Sequence, residues 1–373
     1  MGLGRIFRVT IFGESHGKGV GAVIEGVPPG IPLEDEYIQG ELARRRPGGR
    51  LASPRREEDR VEVLSGVFRG YTTGAPIALF IRNRDVDSSF YERIRYTPRP
   101  GHADYPAWER YLGYQDYRGG GIFSGRRTAA LVAAGAVARR LLEHSWGVVI
   151  AGLVREIGGV ECRAEITPTP EFVERVYSSP VRCPDPESEK AMVEVVEAAR
   201  REGDSVGSLV EVTAFNVPPG LGDPPLDGLD SDLAKAVMSI PAAKGFEVGE
   251  GFRVARMKGS EVIDPLTIGE DGRPRFESNR HGGILGGLST GSPIIVRAAF
   301  KPPTTIRKQL KTVDLKSKVE TTIVGGGRHD PVIGPRALPV VEAVVAIVIA
   351  DHALRLQASR VPGVKDLRPW RGR

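Results

Sequence analysis

Cysteine is almost absent: Cys162 and Cys183 are the only two in 373 residues. Their spacing suits neither a metal-ligand set nor a disulfide framework, which argues against a zinc module or a stapled secreted domain. Two thiols in a chain this long fit a reducing, cytoplasmic setting. A signal peptide's apolar core is missing from Met1–Arg5. Long hydrophobic runs are lacking too. The longest, Val340–Ala350, is broken by Glu342 and falls short of a membrane span, so it reads as a buried helix ending near Leu356. Lysine is scarce: 41 of the 52 basic residues are arginine. Arginine offers a planar fork that pairs bidentately with phosphate and carboxylate.

What is present is a globular composition, 40% hydrophobic and 27% charged, able to bury a core. A length of 373 residues suits one large unit or two lobes, and we expect a single domain over 1–373 with a flexible tail at 361–373. Alternation and β-branched runs predict strands at Ile6–Phe12, Ala22–Val27, Val61–Val67, Ile77–Ile81, Val148–Val154, Leu209–Phe215 and Ile294–Ala299. Helical spacing predicts Glu36–Arg46, Ala129–His144, Glu187–Glu202 capped by Ser188, Ser231–Met238 and Leu338–Leu356. Strands often follow strands, which favours a layered α+β (mixed α/β) fold over a doubly wound parallel sheet. Gly26–Ile31 and Asn216–Leu221 echo each other, each after a strand and before a helix, and read as a trace of two related halves.

Seven segments carry candidate chemistry. Gly13–Glu14–Ser15–His16–Gly17 follows a strand and presents a histidine able to act as an acid near neutral pH. Seven arginines fall between Arg44 and Arg60, either an anion clamp or a solvated charged loop. No aromatic is interleaved there and net charge is only +5, which argues against a nucleic-acid surface. Arg99–Tyr105 holds His102 in a rigid Pro/Gly setting, with Asp104 as its orienter or as a local turn former. Tyr117–Thr128 places three glycines ahead of a helix, a general anion-binding device. Ser278–Gly287 has doubled glycines that suit a flat ligand, and Lys301–Thr305 suits a phosphate or a polar ring edge. Last, Gly325–Gly327 precedes Arg328–His329–Asp330–Pro331, a guanidinium, imidazole and carboxylate on one loop, or a helix cap at Asp330.

Taken in this order, the segments resemble chorismate synthase over nearly the whole chain, from Phe7 to His352. The resemblance implies a layered β-α-β sandwich, normally a homotetramer. It implies that 5-enolpyruvylshikimate 3-phosphate loses phosphate and a ring hydrogen to give chorismate, with reduced FMN required but not consumed. By the same resemblance His16 protonates the leaving phosphate, His102 acts as acid toward the reduced flavin, and Asp330 with Ser15 manages the flavin N5 proton. Ser124, Gly125, Arg126, Ala242, Gly286, Lys301, Pro302, Pro303, Thr304, Thr305 and Arg328 match its flavin-contacting regions. Arg45 and Arg50 match its anion site for substrate or NADP. No metal is implied. A Gly-x-Gly-x-x-Gly fingerprint after a strand is missing, which leans toward an external flavin reductase over direct use of NADPH. The chain departs from the family where an Arg, a Ser and a Glu are replaced by Ile122, Phe123 and Arg127, where Pro241 stands for Asn, and where Arg280–His281 stand for His-Ala.

Overall fold

The structure, a computed structural model, describes residues 2–46, 59–84, 86–326 and 330–360. The expected tail at 361–373 lies outside them. The first half runs β1 (Gly2–Leu3), β2 (Arg8–Gly13), β3 (Gly19–Glu25), α1 (Asp35–Arg44), β4 (Val61–Ser65), β5 (Val67–Phe68), β6 (Tyr71–Thr72), β7 (Ile77–Arg82), α2 (Ser89–Arg93), α3 (Asp104–Tyr111) and α4 (Thr128–Trp146). The second runs β8 (Val149–Ile157), β9 (Val160–Glu161), α5 (Pro170–Ser178), α6 (Pro186–Arg201), β10 (Ser208–Phe215), α7 (Leu229–Met238), β11 (Ala243–Val248), α8 (Gly259–Val262), β12 (Leu266–Ile268), β13 (Pro274–Phe276), β14 (Ile284–Leu285), β15 (Leu288–Ser289), β16 (Ile294–Phe300), β17 (Gln309–Asp314), β18 (Val319–Val324) and α9 (Gly334–Ser359). Two antiparallel five-stranded sheets, ordered β1-β2-β3-β7-β4 and β11-β16-β10-β8-β9, enclose α4 and α9. This is the α+β layered arrangement expected.

The two helices form the middle layer because they are apolar on all sides, and such a helix must be covered on all sides. By length and composition α9 is long enough to cross a membrane, contrary to expectation, but 94% of its most apolar stretch is buried inside the protein. The helices touch at Gly135, where an added Cβ would lie 2.3 Å from the Cβ of Ala343.

The hexapeptide echo marks a real structural repeat. Strands β2-β3-β7-β4 occupy the places that β8-β10-β16-β11 occupy in the other sheet. Gly30 N donates to Thr72 O at 2.8 Å, as Gly220 N does to Ser289 O at 2.8 Å. The Thr72 hydroxyl donates to Pro28 O, and the Ser289 hydroxyl to Pro218 O, both at 2.6 Å. The repeat also relates Val67–Ile77 to Ile284–Ile294, both ending Thr-Gly-x-Pro-Ile. Helices α4 and α9 are its counterparts and run in the same direction. Their N-termini share one end: Arg126 beside α4 donates to Arg82 O at the close of β7, and Gly334 of α9 abuts Ser208, opposite Phe300 at the close of β16.

Several expectations are corrected. The sulfurs of Cys162 and Cys183 are bonded, joined where the β8–β9 hairpin meets the segment after α5; a spacing of 21 residues carried no sign of that approach. Helix α6 is capped by Asp185, whose carboxylate accepts from Ser188 N at 2.9 Å, so Ser188 lies inside the helix and is not the cap.

Candidate active site

The site gathers at the end where β7 and β16 finish and α4 and α9 begin. Strand β2 turns at Gly13 into the loop that carries Ser15 and His16. Asn83, the first residue past β7, secures that loop: its side-chain amide donates to Glu14 O and Gly17 O, both at 3.0 Å, and its carbonyl oxygen accepts from Arg126 Nε at 2.8 Å. Ser124 donates to the Ser15 hydroxyl at 3.1 Å. His16 Nδ1 lies 2.8 Å from the Ser88 hydroxyl. The ring packs edge-on against Tyr91, centroids 5.2 Å apart. Three consecutive glycines allow this: a Cβ on Gly119 would lie 2.5 Å from His16 Nε2, and one on Gly121 would lie 2.1 Å from Asp116 O.

Beneath the loop is a buried charge cluster. Asp59 pairs with Arg45 at 2.9 Å and also with Arg126, and all three are buried. Burial alone would raise the Asp59 carboxyl, but the Arg45 and Arg126 guanidiniums reverse this and hold it below the usual range. Arg45 also donates to Thr128 Oγ1 and Gly125 O, each at 2.9 Å. It therefore supports the start of α4 from beneath. Arg336 in the first turn of α9 adds to the field at Asp59, and it donates to Asp330 at 2.8 Å. Asp330 is thus tied to the Arg126 cluster through α9.

The second histidine stands on the segment before α3. His102 Nε2 is 2.7 Å from Thr305 Oγ1. Lys301 donates to Gly101 O, and a Cβ on Gly101 would strike Thr304 at 2.6 Å. Asp104 is not the orienter of His102. It opens α3 and accepts from Arg99 Nε and Nη2 at 2.7 and 2.8 Å, and Thr305 holds the ring instead. Burial tends to raise the Asp104 carboxyl and the Arg99 bond outweighs it, so the group sits low. The Arg99 guanidinium lies over Tyr91, 5.2 Å from its centroid, which links the two histidine segments. Ala242, at a positive φ of 71°, accepts from Lys301 N at 3.1 Å. Burial, then the neighbouring Lys244, lowers the Lys301 ammonium pKa.

The structure thus brings together Ser15, His16, Ser124, Gly125 and Arg126, and separately joins His102, Ala242, Lys301, Pro302, Pro303, Thr304 and Thr305. Gly286 is elsewhere. It forms the tip of the β14–β15 hairpin, at the Ile294 end of β16, while Lys301 follows the other end; seven strand residues between them span about 20 Å. Arg50, Arg328 and His329 lie outside the described residues. In the altered segment, Arg127 donates to Ile122 O and Ile11 O at 2.9 and 3.2 Å, and Phe123 tilts against Tyr111. Those residues are held by their own contacts, and Ser124 and Arg126 keep their places. Sequence reasoning missed Asp59, Asn83, Ser88 and Tyr91. Only Asp59 had a visible signal, as the one acid of the charge run next to Arg60.

Two histidines, each tied to a hydroxyl, beside clustered guanidiniums and an ammonium make an enzyme site for an anionic small molecule. Residues 7–354 match the chorismate synthase family. A chorismate synthase of Aeropyrum pernix is 63% identical over 99% of this chain and 96% of its own length. Those of Korarchaeum cryptofilum and Pyrococcus abyssi are each 53% identical over 94% of this chain and 97% of theirs. A crystal structure of chorismate synthase superposes with a TM-score of 0.72 at 35% identity, covering 95% of this chain and 93% of that one. The chain belongs to the chorismate synthase family. It is a carbon–oxygen lyase acting on a phosphate ester: it converts 5-enolpyruvylshikimate 3-phosphate to chorismate, the last step of the shikimate pathway. A reduced flavin requirement goes with the family.

Proposed function

We propose that the flavin is FMN, bound by Ser124, Gly125, Arg126, Ala242 and Lys301–Thr305 together with Arg328, and that its electrons come from NADPH through a separate reductase. The residues fit such a group. The Thr304 hydroxyl oxygen is buried with no hydrogen-bond partner among the described residues, and an oxygen so placed is expected to meet a ligand or water. Among the described residues, Gly125 has nothing within 4 Å of where a Cβ would stand. When bound, the reduced flavin lends electron density that eases departure of the phosphate.

The chain's own residues manage charge and protons. His16 donates a proton to the leaving phosphate. His102, oriented by Thr305, is the acid facing the flavin. Asp330, positioned by Arg336, and Ser15 would hold and take up a proton beside the bound group. Arg45 supports Arg126 through Asp59, so its part in anion binding is indirect, whereas Arg50 belongs to the binding set proper. The observation that carries this reading is that two histidines 86 positions apart in sequence meet through Tyr91 and Arg99. The test is anaerobic turnover of 5-enolpyruvylshikimate 3-phosphate with reduced FMN, followed by ultraviolet absorbance. Chorismate should form, and not with oxidised FMN. Reduced riboflavin working as well as reduced FMN would sink the FMN assignment. A homotetramer in the cytoplasm is the assembly we expect; Phe12 stacked on Phe80 over the open face of the first sheet is apolar surface that assembly would cover.

A further inference from the structure

A histidine that hands over a proton must be held in one tautomer and one orientation. The His16 loop supplies neither by itself, since Asn83 binds only the backbone on either side of the ring. Two side chains three residues apart fix the orientation, and one of them presents a hydroxyl able to accept from Nδ1–H. Ser88 places its hydroxyl 2.8 Å from Nδ1, and Tyr91 sets its ring at 87° to the imidazole. Tyr91 is itself fixed: it is buried, Arg99 stacks on it, and Asp104 holds Arg99 by two bonds.

We propose that Ser88 is a positioning residue for the elimination, holding His16 with its proton on Nδ1 so that Nε2, which faces the triple glycine, makes the transfer, while Tyr91 keeps the ring plane. The proposal rests on the reading of His16 as the acid toward phosphate. A hydroxyl can accept from Nδ1–H in both the neutral and the cationic ring. The Ser88 bond therefore survives proton exchange at Nε2. The Nε2 proton passes to a phosphate oxygen, the ring is left neutral with Nδ1–H still bonded to Ser88, and no rotation is needed. Gly119 has no side chain to occupy the space beside Nε2.

The test uses the full-length protein, with its histidines labelled with nitrogen-15. Ser88→Ala should lower kcat about tenfold or more, the scale for removing a group that orients a catalytic histidine. It should also move the His16 nitrogen shifts toward a mixture of tautomers and displace the pH profile of kcat, with KM little changed. Ser88→Thr, which keeps the hydroxyl, should restore most of the activity. Ser89→Ala, on the exposed neighbour, should resemble wild type. A Ser88→Ala protein that loses activity but keeps wild-type His16 shifts and pH profile would overturn the proposal, because the serine would then be merely structural. His16→Asn separates the two readings. If it turns over normally, the acid role of His16 fails, while a tautomer change in Ser88→Ala would still establish the Ser88 contact.

Discussion

Substituting Gly135 by alanine tests whether the crossing of α4 and α9 sets the geometry of the site. Alanine favours a helix by about 1 kcal/mol over glycine. Burying one more methyl adds about 0.8 kcal/mol. On local grounds the variant should gain about 2 kcal/mol. Against this, the new Cβ would stand 2.3 Å from Ala343 Cβ and 2.5 Å from its Cα. Carbon atoms prefer about 3.5–4.0 Å, so the helices must part by roughly 1.5 Å, and a gap of that order forfeits at least a quarter to a half of each contact across it. Taking on the order of 100 contacts at about 0.15 kcal/mol each and losing a third gives roughly 5 kcal/mol. The net expectation is a loss of about 3 kcal/mol, at the upper edge for overpacking. Both helix N-termini would move with it, and Arg126 and Arg336 stand beside them. A displacement near 1 Å at reacting groups can cost about 100-fold in kcat. Urea unfolding and steady-state turnover measure the two effects, and Ala343→Gly in the same chain should recover part of each. A Gly135→Ala protein with a wild-type midpoint and wild-type turnover would refute both the crossing and its coupling to the site.

Asp59→Asn should cost about 3–5 kcal/mol, because it leaves two buried guanidiniums without their shared counter-ion. The Asp59 pKa is depressed in the folded protein, so its stabilisation is present above the unfolded value near 3.9 and fades as pH falls through the folded value. Acid unfolding of the variant should therefore be less steep; an unchanged acid limb would count against the pairing. Replacing both Cys162 and Cys183 with serine should lower stability by about 3 kcal/mol from loop entropy, and the untreated protein should show no thiol to Ellman's reagent until denatured and reduced. Two titratable thiols in the native protein would contradict the bond. Thr305→Val should depress turnover and shift the pH profile of the His102 step, while Asp104→Asn should chiefly reduce stability through Arg99; reversed effects would return the orienting role to Asp104.

The central strands and the long helices could be read from the sequence because each buries a regular apolar pattern. Strands β17 and β18 could not. Gln309–Asp314 and Val319–Val324 are mostly exposed, and pairing with each other, not burial, holds them. Helix α3 was hidden by Pro106, which a first turn tolerates, so its segment read as rigid loop. His16 and His102 could be found because glycine and proline flank them. Their partners could not, since Ser88 and Thr305 lie 72 and 203 positions away. Arg45 illustrates the limit of composition: the same guanidinium serves a ligand or a buried aspartate, and only the position of Asp59 decides. The second stretch of the repeat escaped notice because Thr72 is matched by Ser289, which preserves the hydroxyl bond and not the letter.

The duplication leaves an electrostatic debt at one end of the molecule. Antiparallel helices would cancel their dipoles, but α4 and α9, copies related through a shared end, set like poles side by side, each carrying roughly half a positive charge at its N-terminus. Arg45, Arg126 and Arg336 stand there against Asp59 and Asp330, so one positive charge remains beside the two helix poles. A substrate bearing one phosphate and two carboxylates supplies the missing negative charge, so part of the binding energy is the relief of a strain inherited from doubling the chain. The thermal midpoint should accordingly climb with concentration of even an unreactive trianionic analogue, and climb most at low salt.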